Sequence, residues 1–345
     1  MKTVLFCTQP YSFLILKPIA DELEARGDEY IWYITPKLFE QFPYKQMMHT
    51  NSLKYIDEFK SDAILVPTDD VPYWLRGVKV HVFHSLIANK EEYQEMTNYF
   101  DLFLTPGPKF TEIFEELAQE HEGFDVVETG WSKLDTLFRT ANDDIITWEK
   151  HKLMNDYGVK HIILYAPSSD LELTSAVKLK DVIIKLGSRS DILFMVLFDE
   201  KMEKDIVQEY KDIESKNILL LEDHNVSKNM HIADVLITDT TSLAYEFTLL
   251  DKPVLSVDSK LEDITWSNQS AGGVYLTLIR TLENSSSMRN RREDTIKRYH
   301  PYKDGASSKR VVEATKSYIE KSGVPEEKKV SFFKKLKLKK KFKNN

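Results

Sequence analysis

The chain has 345 residues, 42% hydrophobic and 30% charged, with only 11 glycines and 12 prolines: a globular composition, long enough for two domains of ordinary size. A single cysteine, Cys7, excludes an intrachain disulfide and suits a reducing compartment. Net charge is −8, but residues 328–345 hold nine lysines and no acid, so the rest carries −17, which argues against nucleic acid as a partner.

In chain order, residues 3–7 read as a strand and Gln9-Pro10 as a turn. Ile15, Leu16, Ile19 and Leu23 then follow a helical spacing up to Gly27. Pro18 falls inside that pattern, so the helix is expected to begin close to it, where a first turn tolerates the missing N–H. A strand at 30–34 completes a βαβ unit. Apolar runs recur at 63–66, 78–84, 102–104 and 126–130, as in a parallel sheet covered by helices. A polar connection near 148–159 leads to a second cycle. Its strands are expected at 161–165, 192–197, 218–220, 235–237 and 254–257, with a long helix over 174–186 and a last one over 308–319. No run approaches the roughly 18 apolar residues of a membrane span, and Met1–Phe6 is too short for a signal peptide, so a cytosolic protein is expected.

Residues 233–255 are the most informative stretch. An apolar run is followed by Thr238-Asp239-Thr240-Thr241-Ser242, a helix-like pattern, Lys252-Pro253 and another apolar run. The turn therefore lies where a strand ends and a helix begins, a place that receives phosphate on free N–H groups. Thr240, Thr241 and Ser242 are also ordinary helix caps, so ligand binding and simple capping both fit. Glu246, one turn on, is placed to accept the two hydroxyls of a ribose. His84 ends the run 78–84 and suits a general base, its other reading being a structural strand-end histidine. His81 competes, although strand alternation puts it on the opposite face. No metal site is expected, because no His-x-His, Asp-x-Asp or Glu-x-x-His pair has ligand spacing at a strand end. Walker and Gly-x-Ser-x-Gly motifs are absent too.

Residues 332–343 interleave lysines with Phe332, Phe333, Leu336, Leu338 and Phe342. Such a tail suits an anionic membrane surface, at about 1 kcal/mol per basic residue. A disordered solubilising tail is the alternative.

The 238–242 turn resembles the Thr-Asp-Tyr-Ser-Ser motif of the CDP-glycerol glycerophosphotransferase family, bacterial enzymes of teichoic-acid-type polymer synthesis within the GT-B superfamily. The hydroxyl pair is kept as Thr241-Ser242. Phe83-His84-Ser85-Leu86 stands where that family has Trp-His-Gly-Thr, and the resemblance makes His84 the group that activates the acceptor hydroxyl. Tyr165-Ala166-Pro167-Ser168-Ser169 is similar to Tyr-Ala-Pro-Thr-Trp-Arg, with Asp170 in place of the arginine; Ser168 and Ser169 would reach the donor phosphates. Val196-Leu197-Phe198-Asp199 occupies the place of Arg-x-His-Pro, with His224 the nearby substitute. Gly130-Trp131-Ser132-Lys133-Leu134-Asp135 resembles Gly-x-Pro-Arg-x-Asp, with Lys133 for the arginine. Residues 304–308 resemble Asp-Gly-x-Ala-Ser and are expected to form a turn and helix cap.

The resemblance, ordered over residues 78–320, implies an α/β chain of the GT-B type, two Rossmann-like domains facing each other across a cleft. An acceptor domain is expected over 1–147, a donor domain over 148–322 and the basic tail over 323–345. The implied activity transfers an alditol phosphate from CDP-glycerol or a similar CDP-alditol to a lipid-linked or polysaccharide acceptor in cell-surface polymer synthesis. It would act without metal or cofactor, on the cytoplasmic face of the membrane. The donor-side residues are then Ser168, Ser169, Asp239, Thr240, Thr241, Ser242 and Glu246, with His84 catalytic and Lys133 and His224 in support. A glycosyltransferase using a nucleotide sugar and a silent nucleotide-binding scaffold stay open as alternatives.

Overall fold

A computed structural model describes residues 1–342 except 70, 88–89, 141–143, 223–224, 262–265, 285 and 287. The chain forms two compact units, Met1–Thr136 with Arg298–Asn345, and Leu137–Lys297.

The first unit is built on seven strands: β1 (Lys2–Cys7), β2 (Glu29–Ile34), β3 (His49–Thr50), β4 (Ala63–Val66), β5 (Val78–Val82), β6 (Leu102–Thr105) and β7 (Asp125–Glu128). They pair in parallel in the order β3-β2-β1-β4-β5-β6-β7. β4, β5 and β6 are buried along their whole length, which is why their sequences read as continuous apolar runs rather than alternating ones. The order reverses between β1 and β4, so the carboxyl ends of these two strands flank a topological switch point, where open α/β sheets bind ligands. The first helix spans Ser12–Ala25 and carries Pro18 in its interior. The expectation that it begins near Pro18 is therefore wrong. Burial of Phe13, Ile15 and Leu16 in the turns before the proline outweighs the one helical bond it removes.

The second unit holds β8 (His161–Tyr165), β9 (Ile192–Val196), β10 (Ile218–Leu220), β11 (Val235–Thr238), β12 (Val254–Val257) and β13 (Ser267–Gln269), all parallel in the order β10-β9-β8-β11-β12-β13. Counted from β8 this is the 3-2-1-4-5-6 order of a dinucleotide fold, with the switch between β8 and β11. The expected polar connection near 148–159 is mostly helix, Asp144–Tyr157. None of its residues is fully buried, so its sequence lacks the apolar stripe that marks a packed helix. Lys252 donates to the carbonyls of Met230, His231 and Ala233 at 2.6–3.0 Å, closing the end of the helix Val226–Ile232.

The expected boundaries at 147 and 322 are also displaced. The chain leaves the first unit after Thr136 and returns to it within the helix Arg289–Tyr299. The helix Ser307–Ser322 packs beside Ser12–Ala25, with ion pairs Lys316–Asp28 and Arg26–Glu313. Its amino end is capped from a distance: buried Asp135 accepts from the backbone N–H groups of Ser307 (2.8 Å) and Ser308 (2.7 Å). Gly130 fits the same joint. Its φ is +82°, and an added Cβ would meet the Ser307 hydroxyl at 2.4 Å. The Gly130–Asp135 motif is thus the socket for the segment that begins at Asp304.

The tail is folded rather than disordered. The Lys328 ammonium donates to Phe100 O, Asp101 Oδ1 and Gly123 O at 2.7–2.8 Å. A helix over Phe332–Lys341 then buries Leu338, and Phe342 lies edge-on to Phe6. Phe332, Phe333 and Leu336 of that helix are exposed, at 70%, 81% and 52%. Among the described residues no helix is long and apolar enough to cross a membrane.

Candidate active site

In the second unit the sequence-predicted donor residues gather at the switch point. Asp239 follows β11 and is fully buried. Its Oδ1 accepts from Ser168 N (2.8 Å), and its Oδ2 from Ser175 N (2.7 Å) and the Ser175 hydroxyl (2.9 Å). Burial pushes its pKa up, while these hydrogen bonds pull the other way. Both carboxylate oxygens are committed to the loop after β8. Asp239 thereby fixes the position of the loop that carries Ser168 and Ser175. Thr238 donates to Ala166 O at 2.6 Å and meets Thr241 at 3.0 Å, tying the two strand ends together. Thr240 accepts from Lys260 N.

Ser242 precedes the short helix Leu243–Thr248, but its side chain makes no capping bond. The capping reading of that hydroxyl does not hold. Glu246 lies four residues on, on the same helical face as Ser242, and is 3% exposed. Ser168 and Ser169 are half-buried, and the Ser168 hydroxyl accepts from Asp170 N. His224 lies outside the described residues.

In the first unit the switch point lies between the ends of β1 and β4, where the Thr8 and Thr68 hydroxyls meet at 3.1 Å. His84 stands beyond the neighbouring strand β5, half-buried, with its Nδ1 3.0 Å from the Pro67 carbonyl. A carbonyl only accepts, so Nδ1 carries the proton and Nε2 has the lone pair. Tyr11 stacks on the His84 ring, centroids 5.2 Å apart. Burial, and then the Asp69 carboxylate, push the Tyr11 phenol up to about 12, which keeps it protonated. Trp131 donates its indole N–H to Phe83 O at 2.5 Å, and Lys133 lies over the Trp131 ring at 4.9 Å. Lys133 thus connects to the His84 strand end through Trp131.

Strand alternation separates His81 from His84, yet the structure brings them together. β5 stops at Val82, so the alternation does not extend to His84. One donor atom each from Asp69, His81 and His84 lie within 4.8 Å of one another. The expectation of no metal-ligand cluster missed this group. Asp69 lies three residues beyond β4, and only the pairing of β4 with β5 reveals the proximity.

A family model described as CDP-glycerol:poly(glycerophosphate) glycerophosphotransferase matches residues 28–267. The chain belongs to this family. It is a transferase that moves glycerol phosphate in cell-wall polymer synthesis. A teichoic acid poly(glycerol phosphate) polymerase of Bacillus spizizenii strain W23 is 26% identical to it, across 75% of this chain and 73% of the relative. The wall teichoic acid polymerase TagF superposes with a TM-score of 0.65 at 15% identity, covering 93% of this chain and 89% of TagF. A UDP-N-acetylglucosamine 2-epimerase gives 0.64 at 18% identity, covering 96% and 98%. These likenesses show the fold, GT-B. Phe198, in the segment set against the Arg-x-His-Pro motif, is buried in the core of the second unit.

Proposed function

We propose that this glycerophosphotransferase divides its chemistry between the two switch points. The second unit takes the CDP-glycerol donor. Ser168, Ser169, Thr241 and Ser242 offer hydroxyls to the diphosphate, Glu246 orients the ribose, and Asp239 holds the loop that carries Ser168. In the first unit His84 Nε2 takes the proton of an acceptor hydroxyl. The acceptor oxygen bonds to the phosphorus that bears glycerol, the bond from that phosphorus to CMP breaks, and CMP leaves. Hydroxyls and backbone N–H groups, not a bound metal, meet the charge that develops on the phosphates. Lys133 adds a positive charge near the base. The acceptor is a lipid-linked or polymeric glycerol phosphate, and the exposed Phe332, Phe333 and Leu336 among the tail lysines hold the enzyme on the cytoplasmic face of an anionic membrane.

The observation that carries the base assignment is the Pro67 carbonyl on His84 Nδ1, which leaves Nε2 to accept a proton. The test is CMP release from CDP-glycerol with a glycerol phosphate oligomer as acceptor. His84→Ala should cut kcat by about 10²–10⁴-fold, while thermal stabilisation by CDP-glycerol persists. Full activity in that variant would remove His84 as the base. Stabilisation by UDP-sugars and not by CDP-glycerol would overturn the donor assignment.

A further inference from the structure

His81 is left unused by the transfer. It is 1% exposed, with the rings of Phe83, Phe100 and Phe103 at 4.8–5.5 Å, and neither of its ring nitrogens has a hydrogen-bond partner. Polar atoms buried this way are costly unless something satisfies them. His81 offers an imidazole, the commonest metal-ligating side chain. Its neighbours supply complementary donors. His84 gives its Nδ1 proton to a backbone carbonyl, the outer bond usual for a metal-bound histidine. Asp69 adds a carboxylate from an exposed side chain, and one donor atom from each of the three lies within 4.8 Å of the others.

We propose that Asp69, His81 and His84 form a binding site for a divalent transition cation of the zinc class, and that the bound cation inhibits glycerol phosphate transfer by occupying His84. The inhibitory half rests on His84 being the base. Two imidazoles and one carboxylate leave a fourth tetrahedral position to water. Imidazole donors favour zinc, cobalt or nickel over magnesium and calcium. Bonds of ~2.1 Å place tetrahedral donors about 3.4 Å apart, so closure asks for a shift of roughly an ångström among the three side chains.

The test titrates the full-length protein with Co²⁺, followed by its visible absorption, and with Zn²⁺ by calorimetry. One cation per chain with a tetrahedral Co²⁺ spectrum is expected. His81→Phe and Asp69→Asn should each weaken binding by more than about tenfold, and Zn²⁺ should inhibit CMP release by the unsubstituted enzyme far more strongly than by His81→Phe. Asp69→Asn alters an exposed side chain and keeps the test decisive if the buried substitution unfolds. No tetrahedral spectrum, or one that both variants retain, would overturn the site; stoichiometric Zn²⁺ binding without inhibition would overturn its effect on transfer. Absence of turnover in cation-free enzyme would count against the transfer reading instead, because the Co²⁺ titration needs neither donor nor acceptor.

Discussion

Asp239 is held inside the protein by its own loop partners. Its carboxylate accepts three hydrogen bonds from Ser168 and Ser175 and none of its oxygens is left over. Asp239→Ala leaves two backbone N–H groups without their acceptor, at a cost of about 3 kcal/mol. Urea unfolding of the variant should register that loss, and stabilisation by CDP-glycerol should fall with it as the Ser168 loop loosens. A loss under about 1 kcal/mol would mean that the loop holds without the carboxylate. Its neighbours divide differently: Thr238 and Thr240 are occupied with backbone partners, whereas Ser242 has no capping duty. Sequence reasoning weighted these hydroxyls alike, because a Thr/Ser run carries no sign of which member faces the loop and which faces outward.

At the scale of elements, the segment from Arg298 onward is a strap that completes the first unit. Its joint is made by His300, whose Nε2 accepts from Trp131 N at 3.0 Å, together with Asp135 at the head of the helix Ser307–Ser322. Burial, and then the Arg310 guanidinium, lower the His300 pKa to about 4. The folded imidazole is therefore neutral where the unfolded one, near 6.5, begins to bind a proton. Above about pH 6.5 this stabilisation is fully present. It is lost as pH falls toward 4, by about 3 kcal/mol in all, because the unfolded chain binds the extra proton. Chemical unfolding at pH 7, 5.5 and 4.5 should show the decline, and His300→Gln, which keeps an acceptor for Trp131 but does not titrate, should flatten it. An unchanged slope in that variant would place the acid sensitivity elsewhere. The Gly130 and Asp304 motifs were each legible in the sequence, but their contact spans about 170 residues of chain and leaves no local trace.

For the whole molecule, the tail has two faces, one buried and one exposed. Leu338 and Phe342 are buried against the first unit, while Phe332 and Phe333 project among lysines. Deleting the chain after Val330 would remove both faces at once, so point substitutions discriminate better. Replacing both Phe332 and Phe333 by Ser should abolish sedimentation with anionic liposomes and leave the melting temperature unchanged. Leu338→Ser should instead cost about 2–4 kcal/mol of stability. Liposome binding that survives loss of both phenylalanines would refute the membrane role. The helical wheel of this tail shows no clean stripe because its apolar residues serve two surfaces, one protein and one solvent-facing.

The sequence by itself determined the two α/β cycles, most strand positions, the family and the turns that carry the candidate donor residues. These depend on local apolar runs and on short motifs, and both are written in consecutive residues. Tertiary structure decided the strand orders and hence the two switch points, the return of residues 298–342 to the first unit, the hydrogen bonds between Asp239 and the Ser168–Ser175 loop, and the meeting of Asp69 with His81 and His84. Each of these is a contact between segments far apart in the chain. Strand pairing, burial and long-range hydrogen bonds create such contacts, and no spacing in the sequence encodes them.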